Sequence, residues 1–485
     1  MKTYQSSLKL LAVLVVGLSV TLFSQMPDRS KPPELGPTPS LKMNAVQKLY
    51  LANGLPVIVY EKHDVPIVQM YLVINAGSVN ESENKLGLAG MTASMMDEGA
   101  AGKSSLELSD AIDFLGASIS ASGGLHSSSV SLRCAVSKFD ESLKLFSDIL
   151  LRPDFPQNEL NRLRTTYLTS LMQGYDQPRV IAAAAFSKYL YGSNHPYGRT
   201  SVGTEKTLWS LSVNDLKNFY STYYKPNNAY LIVVGDVTAN EILAKLETAI
   251  GGWKQGTLPA APFPKIKQIN GRKIFLIDKP EAAQSIIRIG RVGAERMTED
   301  YFPLQVMNTI LGGSFTSRLN NNLREEHGYS YGAGSGFSFR PYAGPFIASA
   351  DVQTNVTDKA LIEFMKKLNE ISQPVSDEEL IRAKNYLALS YPDNFSNAAS
   401  IAGQLADMMQ YHLPENYFTQ YIDKIMSVTK EDVQRVAKKY IDTNNLEIIV
   451  VGDKAKIEEG IKKTKIAKIQ NESVIDVLGP MPNLR

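Results

Sequence analysis

Residues 213–236 read VNDLKNFYSTYYKPNNAYLIVVGD, and residues 430–453 read KEDVQRVAKKYIDTNNLEIIVVGD. The two stretches align without a gap: Asp215 falls on Asp432, Tyr223 on Tyr440, Asn227–Asn228 on Asn444–Asn445 and Ile232–Asp236 on Ile449–Asp453. Each reads as a helix, an Asn-Asn turn, a buried apolar strand and a Gly-Asp turn. Chance likeness in an apolar strand would not also hold the preceding helix in register, so the chain contains a duplication. A second pairing agrees, since Glu159–Leu160 and Arg162 correspond to Glu379–Leu380 and Arg382. The repeating unit is about 215 residues long, and two such units fill most of the chain.

Outward from the repeat, strand-like and helix-like runs come in blocks. VIVYEK and VQMYLVINAG read as strands, SLELSDAIDFL (105–115) as a helix, and the Ser/Gly-rich segment 119–136 as one or two strands. Helices follow at 139–150, 157–172 and 180–191. Blocks rather than strict alternation predict an α+β fold, two homologous halves each built as an antiparallel β-sheet with helices packed on it. The Gly/Pro-rich stretch GGWKQGTLPAAPFP (251–264) marks the junction. The expected organisation is a signal segment over 1–25, a linker over 26–44, a first half over 45–250, an inter-domain linker over 251–272 and a second half over 273–470.

Composition narrows the function classes. With 44% hydrophobic and 21% charged residues and a net charge of +2, the chain is an ordinary globular protein without the basic excess that a nucleic-acid partner calls for. Its single cysteine, Cys134, sits in strand-like SVSLRCAVS; it excludes an intramolecular disulfide framework and a cysteine zinc site. Lys2 and Lys9 precede the charge-free run LLAVLVVGLSVTLF (10–23), which is short for a membrane span and suits a signal peptide. Only Ser24 stands near the expected cleavage point, so cleavage and retention as an N-terminal membrane anchor both stay open. In either case the body is expected to be exported, to the periplasm or facing it.

No self-sufficient catalytic set is visible. The five histidines, His63, His126, His195, His327 and His412, lie too far apart to form a local zinc helix, and no nucleophile elbow or phosphate loop occurs. One stretch does hold chemistry-bearing groups, LREEHGYSYGAGSG (323–336). It reads as a helix end, a turn at Gly328 and a strand from near Tyr329. Arg324 and Tyr331, seven positions apart, would be folded together by that turn, and both can donate to a carbonyl or a developing oxyanion. The plainer reading pairs Arg324 with Glu325, Glu326 or a neighbouring helix and half-buries Tyr331 in the strand.

Several stretches together resemble the M16 metallopeptidases, the pitrilysin-like family with an inverted zinc motif. They are NGLPVIVYEKHDVPIVQMYLVINAGSVNES, GLAGMTASMMDEGA, HPYGRTSVGTEKTL and SFTSRLNNNLREEHGYSYGAGSG, and the likeness runs from about residue 45 to 465. The resemblance implies a His-x-x-Glu-His helix in the first half, two histidines holding zinc, the glutamate acting as base, and a later glutamate completing the ligands. Here the flanks match but the motif reads Gly90-Met91-Thr92-Ala93-Ser94, and Ser170 (beside Thr169) stands at the later glutamate. The degenerate positions are therefore Gly90, Ala93, Ser94 and Ser170, and no metal or other cofactor is expected on this chain. The run 116–121, GASISA, has Ser120 where active members carry an asparagine in the strand that pairs with peptide, which weakens that pairing here.

The second half keeps what the resemblance assigns to it, with Arg324 and Tyr331 at the spacing of a pair that holds the substrate carbonyl over a zinc site. In two-chain members of the family, one chain carries the zinc motif and its sister carries this pair. The sequence resembles the sister: the non-metal subunit of a two-chain zinc peptidase, one shell of a clam-like chamber, inactive alone. Its expected partner is a zinc-bearing M16 paralogue that supplies Zn2+, its substrate a peptide, and its catalytic residues Arg324 and Tyr331. The alternative is a non-enzymatic scaffold or chamber protein in which the pair has no proteolytic role.

Overall fold

The computed structural model describes residue 36, residues 39–260 and residues 262–483; the charge-free run 10–23 read as a signal segment, and most of the Pro-rich linker, lie outside the described residues. The first half contributes β1 (Gln47–Tyr50), β2 (Pro56–Glu61), β3 (Ile67–Ile74), a small hairpin of β4 (Gly99–Ala100) and β5 (Lys103–Ser104), then β6 (Ser118–Gly123), β7 (Ser128–Ala135) and β8 (Ala229–Gly235). The second half contributes β9 (Lys273–Asp278), β10 (Gln284–Val292), β11 (Ser330–Phe337), β12 (Pro345–Gln353), β13 (Glu447–Gly452) and β14 (Lys468–Glu472). Two six-stranded sheets result, ordered β1-β2-β8-β3-β7-β6 and β14-β9-β13-β10-β12-β11. Outside their first edge strands, β1 and β14, the two orders match strand for strand. Most neighbours are antiparallel, but β8 runs parallel to β2, and β13 and β14 both run parallel to β9. Long helical connections separate these partners in the chain and let it re-enter the sheet in the same direction.

The repeat that opened the reading has a local physical cause in each copy. Ser212 and Thr429, just ahead of the repeated stretches, cap their helices, and Asp215 and Asp432 complete the capping boxes from the third helical position. Strands β8 and β13 follow, each ending on a glycine, and the first of these is required by its backbone. A Cβ on Gly235 would lie 2.1 Å from the carbonyl oxygen of Ile67, at a φ of +151° that L-residues rarely adopt.

Strands β8 and β13 are buried along their whole length. Alternation points Leu231 and Val233 toward helices Phe139–Leu151 and Ala239–Ile250 of their own half, where Phe146, Ile149 and Leu246 meet them. Tyr230, Ile232 and Val234 point the other way, and helix Ala398–Gln410 of the second half lies there against β3 and β8 through Ile401, Ala402, Leu405 and Ala406. The reciprocal contact exists too. Helix Pro178–Tyr191 of the first half packs on β10 and β13, with Ile181, Ala185, Phe186 and Leu190 against Phe275, Ile277, Ile449 and Val451. The halves exchange corresponding helices, so each sheet is covered on both faces only when both halves are present. Both belong to one compact unit running from Pro39.

The junction is fastened by rings. Phe263 of the linker stacks on Tyr342 at 4.0 Å between centroids and lies 5.0 Å from Tyr197. His126, at the tip of the β6–β7 hairpin, faces the same ring at 6.0 Å and lies 2.7 Å from the Tyr197 hydroxyl. Burial pushes its imidazole down to about 4, which keeps it neutral at ordinary pH. His195, expected in a turn, caps the short helix Pro196–Gly198, its Nδ1 accepting from the Tyr197 N–H. Cys134 is buried in β7.

Candidate functional site

Helix Leu88–Ser94 carries the degenerate motif. Its start is built around Glu81, whose buried carboxylate accepts the N–H groups of Gly87 at 3.0 Å and Ala89 at 2.7 Å. A carboxylate there answers the positive end of a helix. Burial still pushes this acid up to about 7, against the pull of the two N–H groups and Arg199. The helix packs on β6 so closely that a Cβ on Gly123 would come within 2.8 Å of the Ala89 carbonyl oxygen.

On the face where the resemblance puts metal ligands, Gly90 has no side chain and Ala93 is a buried methyl. Ser94 Oγ lies 3.0 Å from the hydroxyl of Tyr167, which reaches across from helix Gln157–Gly174. A Cβ on Gly90 would sit 3.6 Å from that same oxygen. Ser170, on the same helix as Tyr167, is exposed and its hydroxyl donates to the Thr166 carbonyl one turn back at 3.0 Å. Thr169 does likewise toward Thr165 at 2.8 Å. Zinc takes about four nitrogen, sulfur or carboxylate donors. Ser94, Thr169 and Ser170 offer three hydroxyls, each already engaged, so the residues do not fit the ion. Among the described residues no three His, Cys, Asp or Glu side chains are placed to share one. Sequence alone does not mark Tyr167, because nothing local says which side of its helix meets Ser94.

The second half presents a differently built group. A short helix, Arg318–Asn320, widens into a π-turn over Asn321–Glu326, and Gly328 follows at a φ of +63°. Such widened turns recur at functional sites. The chain then doubles back: the Tyr329 N–H donates to the Leu323 carbonyl at 2.8 Å, and the Ala333 N–H to Asn320 Oδ1 at 3.1 Å. Strand β11 starts at Ser330 and is an edge strand. Its register on β12 jumps between Ser330 and Ala333, which leaves Tyr331 in a bulge. Bulges re-aim side chains, and Tyr331 is 90% exposed, not half-buried.

Arg324 projects from the widened turn with its guanidinium 4.6 Å from the ring centre of Phe315 and Nε 3.4 Å from Glu325. The side chain is 38% exposed, so this neighbouring pair is wet and weak. Leu323, fully buried beside it, fixes the turn to the core. Arg318 anchors the helix from which the turn grows, donating to both oxygens of Glu379 at 2.6 and 2.9 Å and to the Glu370 carbonyl at 3.1 Å. That fork holds the Glu379 carboxyl down to about 2. His327 stacks on Tyr329 at 4.9 Å and lies 3.7 Å from Glu363. Arg324 and Tyr331 thus stand on one turn as two donors without a strong acceptor among the described residues.

In the first half, β6 is also an edge strand, and the Ser120 hydroxyl is tied to Ser131 at 2.9 Å. A peptide reaching this edge would meet backbone groups but no side-chain amide.

Comparison with known proteins identifies the family. Residues 57–194 match the family described as insulinase (peptidase family M16), and residues 210–387 match the peptidase M16 inactive domain. The non-peptidase homolog YmxG of Helicobacter pylori is 23% identical over 406 residues, spanning 83% of this chain and 93% of that one. A crystal structure of a peptidase M16 inactive domain from Pseudomonas fluorescens superposes with a TM-score of 0.79 at 27% identity, covering 84% of this chain and 98% of that one. The periplasmic protease PqqL of Escherichia coli shares the fold at a TM-score of 0.73 and 18% identity, over 92% of this chain but 52% of that one. The chain belongs to the M16 peptidase family, as a member without the family's metal-binding residues.

Proposed function

We propose that this chain is the non-metal subunit of an exported two-chain zinc peptidase. It pairs with a zinc-bearing M16 paralogue, closes a chamber around a peptide, and presents Arg324 and Tyr331 to the scissile carbonyl. The observation that carries the reading is the contrast between two faces. The motif helix offers only Gly90, Ala93 and a Ser94 already bonded to Tyr167, whereas Arg324 and Tyr331 stand on a braced turn with their donors exposed.

The chemistry of the pair suits the role. A guanidinium and a phenol aimed at one carbonyl oxygen stabilise the negative charge that grows there as water adds. The zinc, its ligands and the base belong to the partner, and this chain contributes binding and charge stabilisation. Size supports pairing, because the fold likeness to PqqL accounts for about half of that protease. Lys2, Lys9 and the charge-free run 10–23 support export, to the periplasm or to a membrane anchor facing it.

The name of the Helicobacter relative, a non-peptidase homolog, favours a second reading, a scaffold without proteolytic role. Affinity purification of the chain from its native host separates the two. A stoichiometric M16 partner with an intact His-x-x-Glu-His motif supports the peptidase subunit, and purification without such a partner supports the scaffold.

A further inference from the structure

The exchange of helices is unequal. Helix Pro178–Tyr191 fills its site on the second sheet with Phe186, whose ring presses against Gly290. The corresponding position on helix Ala398–Gln410 is Ala406, aligned through Ile181 with Ile401 and Ala182 with Ala402. A cavity of about 480 Å³ remains between that helix and β3, β7 and β8. It opens to solvent beside Gly403, where an added Cβ would meet nothing within 4 Å.

Its lining is selective. Asp407 stands in it with Gln69, Gln404, Gln410, Tyr71 and Tyr230. Gln69 spends its amide N–H on the Met70 carbonyl at 3.1 Å, and Tyr230 donates to the Ala406 carbonyl at 3.3 Å. The Asp407 carboxylate takes no hydrogen bond and no ion pair among the described residues. Arg296 acts on it electrostatically. That guanidinium is committed elsewhere: it lies over the rings of Tyr301, Tyr411 and Tyr417 and donates to the Tyr417 hydroxyl at 2.7 Å. Asp407 is solvent-exposed at the mouth of the cavity, where the walls beside it still push its carboxyl up.

An unpaired carboxylate, phenol rings and neutral amides around a space of this size complement an organic cation and reject an anion. Resting on the reading of the chain as a peptide-handling subunit, we propose that this cavity is a specificity pocket for a lysine or arginine side chain of the bound peptide. Asp407 would meet the cationic head, Tyr71 and Tyr230 would flank its stem, and Gly403 would leave the entrance clear.

The test is binding by the full chain, read by fluorescence anisotropy with labelled glycine-rich peptides carrying one arginine, or citrulline in its place. Wild type is expected to bind the arginine peptide at least about tenfold more tightly, the scale of one charge-assisted hydrogen bond. Asp407→Asn should make the two peptides equal. Gly403→Leu, which fills the entrance while favouring the helix, should weaken the arginine peptide about tenfold without lowering the melting temperature. Equal affinities in wild type, no measurable binding of the arginine peptide, or an arginine preference that survives Asp407→Asn would overturn the proposal. No turnover is measured, so this assignment can fail while the peptidase role holds, and the reverse.

Discussion

Ser94 Oγ lies 3.0 Å from the Tyr167 hydroxyl, a bond between two helices that a metal-binding relative would join through zinc. The tyrosine hydroxyl thereby stands against both Ser94 and the position of Gly90, two of the degenerate motif positions. Grafting Gly90→His, Ala93→Glu, Ser94→His and Ser170→Glu together should bind zinc poorly while Tyr167 remains, because a Cβ at residue 90 is already in van der Waals contact with the phenol oxygen at 3.6 Å and the imidazole beyond it must compete with Tyr167 for room. Adding Tyr167→Ala should improve zinc affinity at least about tenfold, the scale on which groups around a metal site matter. Competition with a chromophoric chelator measures both. Tight zinc binding by the four-residue graft alone would show that Tyr167 does not block the site.

Phe186 fixes the halves together. Its truncation to alanine removes a fully enclosed ring, which costs about 3–5 kcal/mol in comparable cores. Gly290→Ala attacks the same contact from the sheet, since the new Cβ would lie 2.0 Å from the Phe346 carbonyl oxygen and 2.7 Å from the Phe186 ring; a loss of about 1–3 kcal/mol is expected. Urea unfolding of wild type should show a single transition, and Phe186→Ala should move it to lower urea or split it into two. An unchanged midpoint would mean that the exchanged helix is not a main source of coupling.

Acid should weaken the second half in a defined window. Arg318 holds Glu379 down to about 2. Burial pushes Asp300 up, but Lys439, Arg435 and Tyr440, at 2.7, 2.5 and 2.9 Å, outweigh it and hold it to about 2 as well. Both folded-state values lie below the ordinary 4.5 and 3.8. The stability these acids add is therefore complete above those ordinary values and lost as pH falls toward 2. Melting temperature followed from pH 7 to pH 2.5 should drop below pH 4.5. Glu379→Gln should lie well below wild type at pH 7 and approach it at pH 2.5. A constant gap across that range would refute the ion pair's share.

Much of this architecture was legible because it rests on local chemistry that is repeated. Asp215 and Asp432 match since each completes a capping box, and Gly235 and Gly452 match since a neighbour crowds each, the Ile67 carbonyl at the first and the Ser285 side chain at the second. What the sequence could not show depends on contacts between distant elements. Ile181 and Ile401 mark two helices as equivalents, yet nothing local says that each covers the other half's sheet. The bulge at Tyr331 is equally silent, because a one-residue shift is defined by the partner strand β12. Periodicity reads Tyr331 as half-buried, and only the register places its phenol in solvent. The degenerate positions could be located by their flanks, but the tyrosine that fills the gap among them could not.

The central claim is that Arg324 and Tyr331 act on a carbonyl held at a partner's zinc. The most direct measurement is peptide turnover by this chain alone, by its zinc-bearing partner alone, and by the complex made with wild type, Arg324→Ala or Tyr331→Phe. The account predicts no zinc-dependent cleavage by this chain alone and full activity only in the wild-type complex. It predicts a fall in kcat of about a hundredfold for each variant, the loss typical of removing one oxyanion donor, with assembly unchanged by size-exclusion chromatography. Variant complexes that assemble and cleave as fast as wild type would contradict it.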